Sequence, residues 1–177
     1  MTSHPSLADA VYAAVPEGLV TEETANAVVS RFPDAVRSVA GWIRDAAAMR
    51  DWHRVDRLVN LATPLGAPGL SAVLQEVLEA GGGPVQEDLV DALGEIRAVE
   101  AAGLIYRVVR RSLVSDAPAY RLSQKAILAL ADLETNEARG YLREMTTDTW
   151  PDVIRWNAAG ALCIEDELGF DEDAVPG

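Results

Sequence analysis

The 177-residue chain is poor in the side chains on which most catalytic and metal sites depend. Its one cysteine excludes a disulfide framework and a cysteine-based zinc site. Cys163 follows Leu162 and precedes Ile164, and we expect it to be a packing residue. Two histidines, His4 and His53, leave little material for metal binding or acid–base catalysis, and we expect His53 to lie at the surface or in helix packing. We therefore predict a non-enzyme without catalytic residues, metal or cofactor.

Basic residues are also scarce, since 15 of them face 28 acidic residues and leave a net charge of −13. Non-specific nucleic-acid binding requires clustered positive charge, so it is not expected. No apolar run approaches the roughly 18 residues that a membrane span requires. The first residues lack the basic start and apolar stretch of a secretory signal. With arginine replacing lysine almost everywhere, these features predict a bacterial, cytoplasmic protein that binds no membrane.

What the chain does have is apolar residues, 49% of the total, spaced with the period of a helix along most of its length. No segment shows the alternation of a half-buried strand. Ser6 before Asp9 and Thr149 before Asp152 predict helix starts. The predicted breaks fall at residues 16–18, 32–33, 64, 67–69, 81–84, 117–118 and 151, where proline or glycine occurs. The pattern predicts an all-α fold of short helices.

Internal self-similarity adds to this prediction. Similar apolar segments place leucines at steps of 32, 37 and 32 residues, and these anchors are Leu61, Leu93, Leu130 and Leu162. The helices after the two middle anchors carry Gly103 and Gly140 in their first halves, where small residues would let paired helices approach closely. A period of about 30 to 40 residues is typical of α-solenoids.

The segment 152–162, with Asp152-Val153-Ile154-Arg155 followed by Ala158-Ala159 and Ala161-Leu162, resembles the first helix of a HEAT-like repeat of the phycobilin-lyase type. Residues 130–138 resemble the turn between the two helices of such a repeat. The resemblance implies a short right-handed α-solenoid of antiparallel helical hairpins, HEAT/armadillo-like, that serves as a binding scaffold. The repeat's arginine is present at Arg155 and Arg54 but is replaced by Gln86 and Ser123.

The resemblance covers residues 51–169. Residues 1–50 are expected to form an N-terminal helical part, or a degenerate first repeat, and residues 170–177 an acidic tail. All three parts are expected to belong to one continuous domain.

Two surfaces are candidates for partner binding. Arg107, Arg110 and Arg111 fall away from the apolar stripe of their helix, and second helices of such solenoids usually line the concave face. Arginine forks there would recognise carboxylates of another protein, unless they pair with the chain's own acids.

The other surface follows Val153, Trp156 and Gly160 on the last predicted helix, where a solenoid has no further repeat to cover an apolar face. It is a candidate for homo-oligomer or partner contact, since tryptophan is enriched at binding hot spots. A tail carrying Phe170 and Val175 that folds back over this face is the alternative.

Three functions remain open at the level of sequence. The first is a non-catalytic scaffold or adaptor that binds another protein through its concave face. The second is an immunity-type inhibitor that blocks a basic toxin or nuclease by charge complementarity. The third, suggested by the repeat type alone, is a lyase-like or chaperone role toward a bilin.

Overall fold

The computed structural model of the protein describes residues 6–169, and within them the chain forms ten α-helices and no strand. The all-α prediction is confirmed. In chain order the helices are α1 (Leu7–Ala14), α2 (Glu22–Arg31), α3 (Ala35–Ala48), α4 (Trp52–Ala62), α5 (Leu70–Glu79), α6 (Gln86–Glu95), α7 (Ala102–Asp116), α8 (Arg121–Asp132), α9 (Asn136–Met145) and α10 (Asp152–Leu162). Short 3-10 turns precede α6 and α7 and follow α10. No helix in the range 6–169 is long and apolar enough to cross a bilayer.

Every predicted break falls between two helices, because proline and glycine interrupt the helical hydrogen-bond ladder there. The N-cap prediction is confirmed at Ser6, whose hydroxyl accepts a hydrogen bond from the Asp9 amide. It is wrong at Thr149, because α10 begins directly after Pro151 without a side-chain cap. The Thr149 hydroxyl lies 2.8 Å from that of Thr147 instead.

Four helices end at a non-glycine residue in the left-handed region of φ, namely Arg50, Arg97, Glu134 and Cys163. At three of these ends the next amide returns to a carbonyl five residues earlier, as from Ile164 to Ala159 at 3.1 Å. This geometry is that of a Schellman C-cap, which satisfies carbonyls that a helix end leaves open. Cys163 is therefore an exposed cap residue, and the prediction that it packs inside the protein is wrong.

The chain divides into two compact units, residues 1–92 and 93–177, and the division falls within α6. In the N-terminal unit, α3 contacts α1, α4 and α5. One part of its core gathers buried aliphatic side chains from α1 to α4, among them Val11, Val28 and Leu61. Phe32, Trp42 and Leu65 pack against this core.

Helix α1 is fixed to α4 by an aromatic and polar contact around Tyr12. The Tyr12 hydroxyl lies 2.7 Å from Nδ1 of His53, and the guanidiniums of Arg54 and Arg57 lie 4.9 and 4.4 Å from the Tyr12 ring centre. Arg54 also pairs with Asp9, and this hydrogen bond holds the pKa of Asp9 below its ordinary value. His53 is thus an exposed residue that joins two helices, as predicted.

In the C-terminal unit, consecutive helices pack on each other, and alternate helices also touch: α7 contacts α9, and α8 contacts α10. Helices α6 and α8 approach closely at Gly94, where an added Cβ would lie 2.9 Å from Cα of Ala129 in α8. Gly140, which the sequence predicts to be a close-packing position, has open space around it, so that prediction is wrong. An added Cβ at Gly103 would meet only side-chain tips, the nearest being the Tyr141 hydroxyl at 3.3 Å.

The polar link between α7 and α8 centres on Asp116, the last residue of α7. Its carboxylate accepts hydrogen bonds from the amides of Leu122 and Ser123 and, at 2.7 Å, from the Ser123 hydroxyl. The side chain of one helix end therefore caps the start of the next helix. Ser123, which stands where the repeat pattern has arginine, is fully buried and is satisfied by this carboxylate.

Candidate partner-binding site

Helix α7 places the three predicted arginines on its exposed side. Its apolar stripe includes Ile105 and Val109, which are fully buried, and Leu113, which is half-buried. The backbone turn of 100° per residue carries Arg107, Arg110 and Arg111 outward. The predicted division of this helix into a buried and an exposed face is confirmed. Whether the exposed face binds a partner stays a prediction.

The guanidinium of Arg110 lies over two aromatic rings. Its guanidinium carbon lies 5.9 Å from the ring centres of Tyr106 and Trp150, both of which are buried. Tyr106 precedes it by one helical turn, and Trp150 comes from the segment before α10. Cation–π attraction therefore holds the guanidinium at a defined place on the surface.

A second helix completes the site through Glu144 and Tyr141 of α9. Nη1 of Arg110 lies 3.4 Å from Oε1 of Glu144 and donates to the Tyr106 hydroxyl at 3.2 Å. Tyr106 in turn donates to the same Glu144 oxygen. The Tyr106 and Tyr141 rings stack with centres 4.4 Å apart and planes 12° apart. We call these five residues, Tyr106, Arg110, Tyr141, Glu144 and Trp150, the arginine–aromatic site.

The protonation of the site follows from its burial and hydrogen bonds. Burial raises the pKa of Tyr106 above its ordinary value, and its bond to Glu144 acts in the same direction. The hydrogen bond to Glu137 is the main cause of a raised pKa at Tyr141. Both phenols are therefore neutral at pH 7 and donate to carboxylates, while Arg110 keeps its charge because contact with Tyr106 raises its pKa.

The site borders an open cavity of about 140 Å³ lined by Arg110, Leu113, Glu144, Thr149 and Trp150. Both hydrogen bonds of Arg110 use Nη1, so among the described residues Nε and Nη2 remain available to another acceptor. The Arg110–Glu144 pair is itself exposed, and exposed ion pairs contribute about 0–1 kcal/mol. An incoming carboxylate can thus engage the guanidinium fork at small cost to the protein.

The other sequence candidates have a different setting. Val153, Trp156 and Gly160 lie on α10, and all three are half-buried, so their face is less open than an uncovered solenoid end would be. None of them lines the cavity beside Arg110. Phe170 and Val175, the residues of the alternative covering segment, lie outside the described part of the chain.

Sequence reasoning missed Tyr106, Tyr141, Glu144 and Trp150. The spacing of four residues between Tyr106 and Arg110 was a usable signal, because such residues are neighbours on one helix face. The contribution of α9 and of Trp150 depends on how the helices pack, which no local spacing reveals.

Within the described range 6–169 no three His, Cys, Asp or Glu side chains converge as metal ligands would. Comparison of the chain with protein-family models, curated proteins and solved structures gives no match.

Proposed function

We propose that the protein is a non-catalytic scaffold of HEAT-like helical hairpins that binds an acidic segment of another protein through the arginine–aromatic site. The repeat arrangement is supported by the contacts between alternate helices, α7 with α9 and α8 with α10. Stacked hairpins produce such contacts, because each helix meets its counterpart in the next repeat. On this assignment α7 and α9 are the second helices of consecutive hairpins.

The observation that carries the binding role is the position of Arg110 over buried Tyr106 and Trp150 at the edge of a cavity. Arginine, tyrosine and tryptophan are the residues most enriched at binding hot spots, and anchored side chains lose little entropy on binding. The guanidinium is ordered by its own neighbours, yet part of its donor fork faces solvent. The site is therefore organised for recognition of an acceptor group.

The charge of the two helices favours an acidic partner over a basic one. Together α7 and α9 carry five arginines and three acidic residues, a net charge of +2 in a chain of net charge −13. A partner segment rich in Asp or Glu would meet complementary charge here and repulsion from the rest of the protein. The charge of the protein therefore favours an acidic partner, and it favours binding of that partner at α7 and α9.

The test is affinity capture from the native lysate, followed by quantitative binding of the captured protein to purified variants. We expect Arg110→Glu to weaken binding roughly thirtyfold or more, because truncation or reversal of a hot-spot arginine costs about 2 kcal/mol or more. The triple variant Arg107→Glu, Arg110→Glu, Arg111→Glu should abolish binding. Arg37→Glu, an exposed arginine of α3 in the N-terminal unit, is the charge-matched control and should bind as the parent does.

Thermal unfolding of each variant establishes that the fold is retained before affinities are compared. Unchanged affinity of the triple variant for the captured protein would refute the proposal. Capture of a basic protein that the parent and all three variants bind equally would instead favour the immunity-type inhibitor.

A further inference from the structure

A second cavity of the C-terminal unit is separate from the arginine–aromatic site. It has a volume of about 370 Å³ and lies where the end of α10 meets α9 and the end of α8. Leu142 and Leu162 contribute apolar wall, Arg139 and Arg143 contribute charge, and Cys163 contributes its thiol. Small-molecule sites generally occupy about 300–1,000 Å³ and combine an apolar wall with a few polar groups.

The two arginines of this cleft lack a counter-charge within the described range 6–169. Among the residues that the structure describes, no ion pair or hydrogen bond engages the guanidinium of Arg139 or Arg143. They stand four residues apart on α9, an arrangement in which like charges repel. Although the chain has 28 acidic residues, none in the part that the structure describes pairs with these two neighbouring arginines, so their guanidiniums remain able to bind an anion.

The one carboxylate lining the cleft does not cancel this attraction. Glu134 lies at its edge, and its Oε2 is 3.5 Å from Nη1 of Arg97. Its charge is therefore shared with a third arginine, and the cleft keeps an excess of positive charge.

We propose that this cleft binds a small carboxylate with an apolar body. The carboxylate would take the guanidinium donors of Arg139 and Arg143, which suit its planar acceptor pair, and relieve their mutual repulsion. The apolar body would lie along Leu162 and Leu142. Bound in this way, the ligand covers the thiol of Cys163 at the same cleft. None of these residues belongs to the arginine–aromatic site, but Arg139 and Arg143 are two of the five arginines that give α7 and α9 their positive charge. The experiment below tests the cleft without any partner protein, so its outcome is separate from that of the scaffold test.

The experiment uses the full chain and octanoate as the probe, with octan-1-ol as the neutral probe of equal chain length. The readout is the rate at which iodoacetamide, an uncharged reagent, alkylates Cys163, measured by mass spectrometry. At about four times the dissociation constant of octanoate the free fraction is about one fifth, so we expect the rate to fall about fivefold. Octan-1-ol at the same concentration should leave the rate unchanged.

The double variant Arg139→Gln, Arg143→Gln should weaken octanoate binding at least tenfold, a difference of about 1.4 kcal/mol or more. The control is Arg37→Gln, Arg50→Gln, which removes the same charge from the N-terminal unit and should retain protection. Equilibrium titration followed through the methyl signals of Leu142 and Leu162 gives the affinity independently of the thiol. Equal effects of octanoate and octan-1-ol, retained protection in the double variant, or no binding to the parent chain would each overturn the proposal.

Discussion

The backbone of Cys163 adopts a conformation that is unfavourable for any residue with a Cβ. It caps α10 with a φ of 56°, where a side chain crowds the following carbonyl oxygen. Left-handed geometry costs a non-glycine residue about 1–2 kcal/mol, whereas glycine adopts it readily. Cys163 is exposed, so packing offsets little of this cost.

We predict that Cys163→Gly raises the free energy of unfolding by about 0.5–1 kcal/mol, the relief of strain less the entropy that glycine adds to the unfolded chain. Urea unfolding at constant slope measures the change. Cys163→Ala removes the thiol but keeps a Cβ at the same φ, so it should give no comparable gain. Equal stability of the two variants would contradict the backbone explanation.

At the scale of elements, we expect the substitution of glycine by alanine to change stability in opposite directions at two helical positions, Gly94 and Gly140. A methyl group at Gly94 would lie 2.9 Å from the backbone of Ala129, so α6 and α8 would have to separate. A methyl group at Gly140 meets nothing within 4 Å on the exposed side of α9.

We predict that Gly94→Ala lowers the free energy of unfolding by about 1–2 kcal/mol, since overpacking against backbone outweighs the gain in helix propensity. Gly140→Ala, its matched control, should raise it by about 0.5–1 kcal/mol through propensity alone. Thermal unfolding of both variants decides the matter. A stabilising Gly94→Ala would show that the helices are not in close contact at this position.

These elements also show what the sequence could and could not predict. Helix limits were predictable because Pro33, Pro64 and Pro151 interrupt helices by their own chemistry, whatever surrounds them. The buried and exposed faces of α7 followed from periodicity. Which glycine permits a close approach was not predictable, because Gly94 faces α8 and Gly140 faces open space, and only the packing of the helices decides this. The exposed position of Arg110 was predictable from the periodicity of α7. Its contact with Trp150 was not, because Trp150 lies in another segment.

At the scale of the whole molecule, the net charge of −13 opposes compaction, because like charges are brought closer on folding. The ion pairs that oppose this effect, such as Arg44 with Glu76 and Arg97 with Glu134, join exposed side chains. Exposed pairs contribute little, and salt screens them together with the repulsion.

We therefore predict that raising NaCl from 20 to 500 mM, values chosen to span roughly 20 to 4 Å in screening length, raises Tm. A gain of about 1 kcal/mol in stability corresponds to about 2–4 °C for a chain of this size. Calorimetry at pH 7 measures the change. A lower Tm at high salt would mean that attractive pairs, not net repulsion, dominate the electrostatic free energy.

The bond network of Asp116 has a consequence for how this part of the protein opens. One carboxylate ends α7 and accepts from the Leu122 and Ser123 amides of α8, so fraying of either helix end breaks hydrogen bonds that the two ends share. Ordinary helix ends open and close on their own, each with its own small free energy. Here the two ends share one event. Opening of the last turn of α7, for example when its arginine face is perturbed, therefore also destabilises the first turn of α8.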